Sequence, residues 1–306
     1  MNVAEQQVPG SLAARVWRGF TILLPYLWLS LFFLLPFLIV FKISLADPIV
    51  AQPPFTPLLD IGKVGWQKFY ATLDSYRFLF EDNLYVFSYL KSIWIATVST
   101  LLCLLIGYPM AYGIARARPV QRNILLMLVI LPFWTSFLLR VYAWMGMLST
   151  NGLINNALLA LGLIDAPLKI LYTDTAVYIG IVYSYLPFMI LPLYAALERL
   201  DGRLIEAAYD LGASRVRAFI DVTLPLSRPG ILAGCLLVFI PAMGEYVIPA
   251  LLGGLDSLMI GRQLFNEFYA NRDWPVAAAV ATILLILLVV PMMWLNRVQS
   301  DAQGQS

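Results

Sequence analysis

The sequence predicts an all-α membrane protein that crosses the bilayer six times. Of its 306 residues, 61% are hydrophobic and 12% are charged, whereas soluble domains carry about 25% charged residues. Six mostly apolar runs also approach or exceed the roughly 20 residues that a spanning helix needs. These runs cover residues 21–41, 92–115, 123–147, 175–197, 229–252 and 274–296.

The first run indicates an anchor that stays in the membrane. Arg15 and Arg18 precede it, and its 21 residues carry no charge. A signal peptide has an apolar core of about 7–15 residues followed by a small-residue cleavage site. The run is longer than such a core and lacks the site, so it is expected to span the bilayer.

Two stretches between the runs are expected to hold short helices outside the six spans. Residues 44–91 begin with four prolines and continue with mixed polar and aromatic residues. They predict an external loop with a helical stretch over residues 65–80 at the membrane surface. Residues 148–170 contain only about ten consecutive apolar residues, which predicts a short interfacial or re-entrant helix.

Arginine placement predicts that both termini face the cytoplasm, because positive charges in short loops mark that side. With six spans, these arginines fall on one side: Arg15, Arg18, Arg116, Arg118, Arg122, Arg199, Arg203, Arg215, Arg217, Arg228 and Arg297. All five lysines fall opposite, but in longer loops that also carry acids. Residues 1–20 then form a cytoplasmic segment, residues 21–297 the transmembrane domain, and residues 298–306 a cytoplasmic tail.

The residue inventory does not indicate an enzyme. Histidine, the commonest general base and metal ligand, is absent. Both cysteines, Cys103 and Cys235, lie inside apolar runs, so we interpret them as buried hydrophobic residues and not as a disulfide or a zinc site. We therefore expect no catalytic residue, no metal site and no cofactor in this chain.

The polar stretch over residues 198–228 predicts a knob of two short helices. Four apolar or small residues recur at helical spacing within residues 200–211: Leu204, Ala207, Ala208 and Leu211. Gly212 is placed to end this helix in the left-handed conformation. Ser214 can cap a second helix over residues 215–223, which Pro225 is expected to terminate.

A spaced motif runs through this stretch. It consists of Glu206-Ala207-Ala208, three residues, Gly212, nine residues, Val222, one residue, and Leu224-Pro225. The order resembles the cytoplasmic coupling loop of permease subunits in binding-protein-dependent ABC importers, where isoleucine is usual in place of Val222. The resemblance implies a type I permease-like fold. It also implies that a separate ATPase docks on Glu206, Ala207, Ala208, Gly212, Leu224 and Pro225.

Further stretches carry a narrower resemblance, at residues 35–45, 122–125, 131–137, 140–146, 239–249 and 271–275. They are similar to the putrescine/spermidine permease subfamily, and within it to first permease subunits of putrescine importers. The resemblance covers about residues 25–296. It implies a heterodimer with a second permease, two ATPase subunits that bind ATP and Mg, and a periplasmic polyamine-binding protein.

Two charged residues lie inside predicted spans. Glu245, in the fifth run between Pro241 and Pro249, costs at least a few kcal/mol there unless it is paired or hydrated. Counting about 1.5 Å per residue from the nearest cytoplasmic arginine places both Glu245 and Arg140 roughly 26 Å into the bilayer. Two interpretations stay open and are compatible. One is a structural ion pair with Arg140, and the other is an anionic point on the path of a cationic substrate.

Aromatic residues near this depth could surround an ammonium group by cation–π contact. They are Trp134, Tyr142, Trp144, Tyr183, Tyr185 and Tyr246, and we assign Trp134, Trp144 and Tyr246 with Glu245 and Arg140 to a candidate substrate path. The alternative is that these rings only anchor the protein at the membrane surface.

Rival functions from other classes fit less of the sequence. A proton- or sodium-coupled secondary transporter of small cations would explain Glu245, but not the spacing from Glu206 to Pro225. A membrane enzyme is a weaker rival, since the chain lacks histidine and any metal-ligand cluster. An importer permease for another small solute also remains open. Because the chain has no P-loop motif, an ATP-driven importer requires an ATPase in a separate subunit.

Overall fold

The structure is a computed structural model that describes residues 12–56, 59–60, 68–69 and 71–303. It is almost entirely helical, which confirms the predicted class. The α-helices are α1 (Leu12–Leu29), α2 (Leu35–Ser44), α3 (Asp74–Glu81), α4 (Asn83–Arg116), α5 (Pro119–Ile130), α6 (Phe137–Leu148), α7 (Leu153–Ala160), α8 (Asp174–Glu198), α9 (Gly202–Asp210), α10 (Arg215–Ala218), α11 (Leu224–Leu226), α12 (Arg228–Met243), α13 (Val247–Leu251), α14 (Ile260–Phe265) and α15 (Trp274–Gln303).

Short irregular elements connect these helices. Wider π-helical turns occupy Ser30–Leu34, Phe219–Thr223 and Asn266–Asn271, and a 3-10 turn covers Leu131–Trp134. The strands β1 (Leu59–Asp60) and β2 (Lys68–Phe69) pair antiparallel. The chain divides into two compact units, residues 1–78 with 272–306, and residues 79–271.

In the first unit, α1 continues through a π-helical turn into α2. The segment Phe20–Ser44 is 25 residues long and apolar enough to cross a membrane, and its side chains up to Pro36 are exposed, as expected for a helix in lipid. At its far end, α2 packs against α15. The hydroxyl groups of Ser44 and Tyr76 lie 2.7 Å apart and tie α2 to α3.

The predicted helix over residues 65–80 is mostly wrong in its first half. Residues 65–67 lie outside the described residues, Lys68–Phe69 form a strand, and the helix begins only at Asp74. The backbone before it is bonded elsewhere: the Thr72 amide donates to the carbonyl of Leu45 at 2.9 Å. Hydrogen bonds to another segment thus replace those that a longer helix would make.

In the second unit, α4, α8 and α12 form the core. Its apolar centre includes Cys103, Ala111, Ile190, Leu193 and Val238. Gly230 and Gly234 let α12 approach α8 closely, because added Cβ atoms would lie 2.5 Å from the Ala196 Cβ and 2.7 Å from the Met189 Sδ. Small residues of this kind are typical of helix contacts in membranes. Cys103 is buried, as predicted, whereas Cys235 is half-buried.

The predicted spans differ in how regular their helices are. Phe20–Ser44, Asn83–Arg116 and Asp174–Glu198 are long and apolar enough to cross a bilayer. The third run is instead bent by 92° between Pro119–Trp134 and Phe137–Ala160, and a 64° bend precedes the fifth run at Arg228. The sixth contains the shorter apolar helix Trp274–Val290. The short helix predicted within residues 148–170 is α7, and the count of six spans stays a prediction.

Candidate functional site

The fifth hydrophobic run is broken beside Glu245, between its two flanking prolines. Helix α12 ends at Met243, Gly244 to Tyr246 are not helical, and α13 starts at Val247. The break packs against the start of α14, since a Cβ on Gly261 would lie 2.3 Å from the carbonyl oxygen of Gly244 and 2.7 Å from that of Glu245. Only glycine fits there, so the irregular backbone is held by protein contact, as membrane burial requires.

The Glu245 side chain lies inside the protein, with 7% of its surface exposed. Its Oε1 accepts hydrogen bonds from the backbone amides of Val247 at 3.0 Å and Ile248 at 3.4 Å. The Tyr185 hydroxyl on α8 donates to Oε2. The carboxylate therefore caps the first turn of α13, where negative charge is favourable.

No ion pair joins Glu245 and Arg140 among the described residues. The Arg140 guanidinium lies over the rings of Phe133 and Phe137, 5.5 Å and 5.7 Å from their centroids. Its Nε and Nη1 are buried without a hydrogen-bond partner. The structural-pair interpretation is thus wrong for this structure. The depth estimate assumed straight helices, but the chain bends by 92° before Arg140.

The predicted aromatic residues are spread over several places. Tyr246 is closest to the carboxylate in sequence, and its ring stacks on Phe265 with centroids 4.7 Å apart. Trp144 packs edge-on against Tyr183, 5.3 Å away. Trp134 is 76% exposed in this chain. The structure therefore brings Tyr185 and Tyr246 to the break, while Trp134 lies on the surface of the chain.

Residues 198–228, hereafter the coupling loop, have the predicted glycine corner. Asp201 caps α9 by accepting a hydrogen bond from the Arg203 amide at 3.0 Å. Gly212 has φ +84°, the left-handed conformation that glycine adopts without steric cost. Ser214 then caps α10 through the Arg217 amide at 3.3 Å. The corner and both caps follow from local sequence alone.

The end of the loop differs from the prediction. The second helix does not stop before Pro225, because helical turns continue through α11 to Leu226. Pro225 lies in the first turn of α11, where a missing amide hydrogen is tolerated. The direction of the chain changes later, by 64° between Leu226 and Arg228.

The outer face of the coupling loop is apolar and exposed. Leu211 is 89% exposed, and Glu206 and Ala207 are exposed beside a half-buried Ala208. The other exposed large apolar residues of the loop are Leu204, Tyr209, Val216, Ile220, Leu224 and Leu226. Several exposed apolar residues within one short polar segment are typical of a protein-binding site.

Two buried polar arrangements were not predicted from sequence. Tyr185 appeared only as one of several aromatic residues, and its bond to Glu245 depends on how α8 packs. Glu267 is also buried, and accepts from the Tyr85 hydroxyl at 2.7 Å and the Asn271 amide nitrogen at 2.9 Å. It lies outside the six apolar runs, so its burial had no signal in hydropathy. The contacts of Tyr185 with Glu245 and of Tyr85 with Glu267 join residues far apart in the chain.

Comparison with known proteins decides the class. Residues 103–302 match the family described as the binding-protein-dependent transport system inner membrane component. The chain belongs to this family. It is 42% identical over 272 residues to the spermidine/putrescine transport system permease protein PotB of Haemophilus influenzae, covering 88% of this chain and 90% of the relative. It is 43% identical over 261 residues to the protein of the same name from Escherichia coli, covering 85% and 90%.

A solved structure supports the same fold. A chain of a bacterial alginate ABC transporter, crystallised in complex with an alginate pentasaccharide-bound periplasmic protein, has a TM-score of 0.68. The two chains are 18% identical, and the match covers 92% of this chain and 94% of the other. The type I permease-like fold is confirmed. The family match makes the chain an inner-membrane component of a transport system.

Proposed function

We propose that this chain is the permease subunit of an ATP-driven importer that moves a polyamine, putrescine in particular, from the periplasm to the cytoplasm. The observation that carries the proposal is Glu245, a buried carboxylate at a helix break without a basic partner within 4.0 Å among the described residues. An ammonium group of the substrate supplies the missing positive charge. The names of the relatives, which mention both spermidine and putrescine, support this substrate class.

The coupling loop is the proposed docking site of the ATPase subunits, which bind ATP and Mg. Its exposed apolar residues are not covered by the part of the chain that the structure describes, and the sequence contains no P-loop motif. The complete importer contains a second permease, two ATPase subunits and a periplasmic polyamine-binding protein. The alginate transporter bound to its periplasmic protein supports the last of these partners by analogy.

Uptake by the reconstituted complex tests the substrate. Radiolabelled putrescine, spermidine and an uncharged control solute are offered to proteoliposomes that contain the two permeases and the ATPase, with the binding protein outside. We expect ATP-dependent uptake of putrescine above spermidine and none of the control. Uptake of neither polyamine would contradict the proposal. Faster uptake of spermidine than of putrescine would show that spermidine is the preferred substrate.

The proposed orientation places both termini in the cytoplasm. A background variant with Cys103 and Cys235 replaced by alanine removes the native thiols. Single cysteines at Asp60 and Ser214 are then labelled in intact cells with a membrane-impermeant maleimide. We expect labelling at position 60 only. Equal labelling of both positions from outside would contradict this orientation.

A further inference from the structure

Phe219 lies on the inner side of the coupling loop, against α4. Its ring meets Tyr108 edge-on at 5.6 Å and Tyr112 edge-on at 6.0 Å between centroids. These distances and angles are favourable for aromatic pairs. The next residue, Ile220, points outward and is 53% exposed. Adjacent residues of the loop therefore face two different neighbours, α4 on the inside and the proposed ATPase on the outside.

A second contact joins the same part of α4 to the end of the loop. The hydroxyl groups of Tyr108 and Ser227 lie 2.9 Å apart and both residues are buried. Ser227 sits at the 64° bend between Leu226 and Arg228. Tyr108 thus contacts the π-helical turn through Phe219 and the bend through Ser227. Both parts of the loop therefore contact α4 at Tyr108, and Phe219 also contacts Tyr112.

Helix α4 can deform at this contact. Pro109, next to Tyr108, removes one hydrogen bond from the helix interior, which makes bending there easier. An apolar crevice of about 590 Å³ is lined by both Pro109 and Phe219, so neither residue is enclosed by this chain on that side. The contact therefore lies beside the proline of a 34-residue helix.

Nearer its N-terminal end, α4 contacts the first residues of α8 and α14, which belong to the same unit. Lys91 forms an ion pair with Asp174 at the start of α8. The Ser92 hydroxyl accepts a hydrogen bond from the Ile260 amide at 2.7 Å, and Ile260 begins the helix that packs against the Glu245 break. These contacts connect α4 to the neighbourhood of the candidate substrate path.

We propose that Phe219 and Tyr108 are positioning residues that transmit movement of the coupling loop to α4. The inference rests on the proposed function, because the loop must be where the ATPase docks. Phe219 converts displacement of the loop into displacement of α4, and the bond from Tyr108 to Ser227 keeps the two elements in register. Neither residue contacts the ATPase or the substrate.

Four variants of the complete reconstituted complex test this role. Phe219→Ala removes the inner contact, and Ile220→Ala is its matched control on the outer face. Tyr108→Phe removes only the hydroxyl that meets Ser227. Tyr112→Phe is its control, since no hydrogen bond of the Tyr112 hydroxyl is seen in the described part of the chain. The measurements are ATPase co-purification, ATP hydrolysis with and without binding protein, and putrescine taken up per ATP.

We expect Phe219→Ala to retain its ATPase and its basal hydrolysis but to lower uptake per ATP about tenfold, the scale of a typical coupling between sites. Tyr108→Phe should lower it about fivefold on the same scale, and Tyr112→Phe should leave it unchanged. Ile220→Ala should weaken ATPase binding without changing uptake per ATP. If Phe219→Ala does not assemble, the comparison of Tyr108→Phe with Tyr112→Phe decides.

Two results would overturn the inference. One is normal uptake per ATP in both Phe219→Ala and Tyr108→Phe. The other is loss of the ATPase from Phe219→Ala, which would make Phe219 part of the docking surface. Stimulation of hydrolysis by the binding protein is recorded because it reports coupling whichever solute is carried. Lack of polyamine uptake by the unmodified complex would therefore contradict the proposed function alone.

Discussion

The break at Glu245 and the corner at Gly212 are both places where a glycine interrupts a helix, but their surroundings are opposite. At the break, the carboxylate accepts three hydrogen bonds from its own chain and is 7% exposed. At the corner, the neighbouring Leu211 is 89% exposed. The first site has hydrogen bonds from its own chain but no basic partner within 4.0 Å among the described residues. The second is an apolar surface that lacks a protein to cover it.

The comparison shows which property each site needs from the rest of the importer. A buried charge attracts a small charged ligand, because a countercharge offsets its desolvation. An exposed apolar surface instead gains free energy when another protein removes it from water. Changes at the break should therefore alter transport of a cation, and changes at the corner should alter assembly.

Replacing Glu245 tests the break and has the largest expected effect. Glu245→Gln keeps the acceptor for the amides of α13 but removes the charge, so assembly should persist while polyamine uptake falls about tenfold or more. Uptake and thermal unfolding of the purified complex are measured together. Because Arg140 is not paired with Glu245, adding Arg140→Gln should not restore uptake. Recovery of both uptake and stability in the double variant would support a structural pair instead.

Replacing Gly212 tests the corner. A β-branched residue at φ +84° costs about 1–2 kcal/mol, so Gly212→Val should distort the loop and weaken ATPase binding up to about tenfold. Gly162→Val is the matched control, since Gly162 has φ +66° and neither glycine has another atom within 4 Å of an added Cβ. ATPase binding is measured by titration. Equal weakening in both variants would argue against a specific role for the corner.

The corner was predictable because its determinants are local. A left-handed glycine after a helix and a serine cap two residues later are set by neighbouring residues. The helix break beside Glu245 was predictable for the same reason, since Gly244 and the flanking prolines lie within a few residues of it. Hydropathy likewise identified the long helices α4 and α8, but it did not indicate the 92° bend in the third run.

The partners of the two embedded charges were not predictable. Whether Glu245 meets Arg140 or Tyr185 depends on where three separate helices pack, and a 92° bend moved Arg140 off the straight path assumed for it. The prediction for the end of the coupling loop was wrong for a related reason. Pro225 was read as a terminator, but a proline in the first turn of a new helix is allowed.

Removing the Tyr185 hydroxyl tests its hydrogen bond to Glu245. We expect a smaller effect than from the two preceding variants. Tyr185→Phe takes one hydrogen bond from a buried carboxylate, which should lower the free energy of unfolding by about 1 kcal/mol. Added putrescine should then raise the unfolding temperature more than in the unmodified protein, because its ammonium replaces the lost donor. Tyr183→Phe is the control. Identical thermal unfolding of the two variants, with and without putrescine, would contradict the contact.

Replacing a single exposed leucine has the smallest expected effect and tests the other side of the comparison. Leu211→Ser should leave the stability of the permease within about 0.5 kcal/mol, since the side chain packs against little in this chain. It should nevertheless lower ATPase affinity a few-fold, because part of the roughly 1.5–3 kcal/mol available from burying a leucine is lost. Leu255→Ser is the matched control, as Leu255 is 86% exposed but lies far along the chain from the loop. If both variants bind the ATPase normally, Leu211 is not in the interface and the apolar face must be covered by something other than the ATPase.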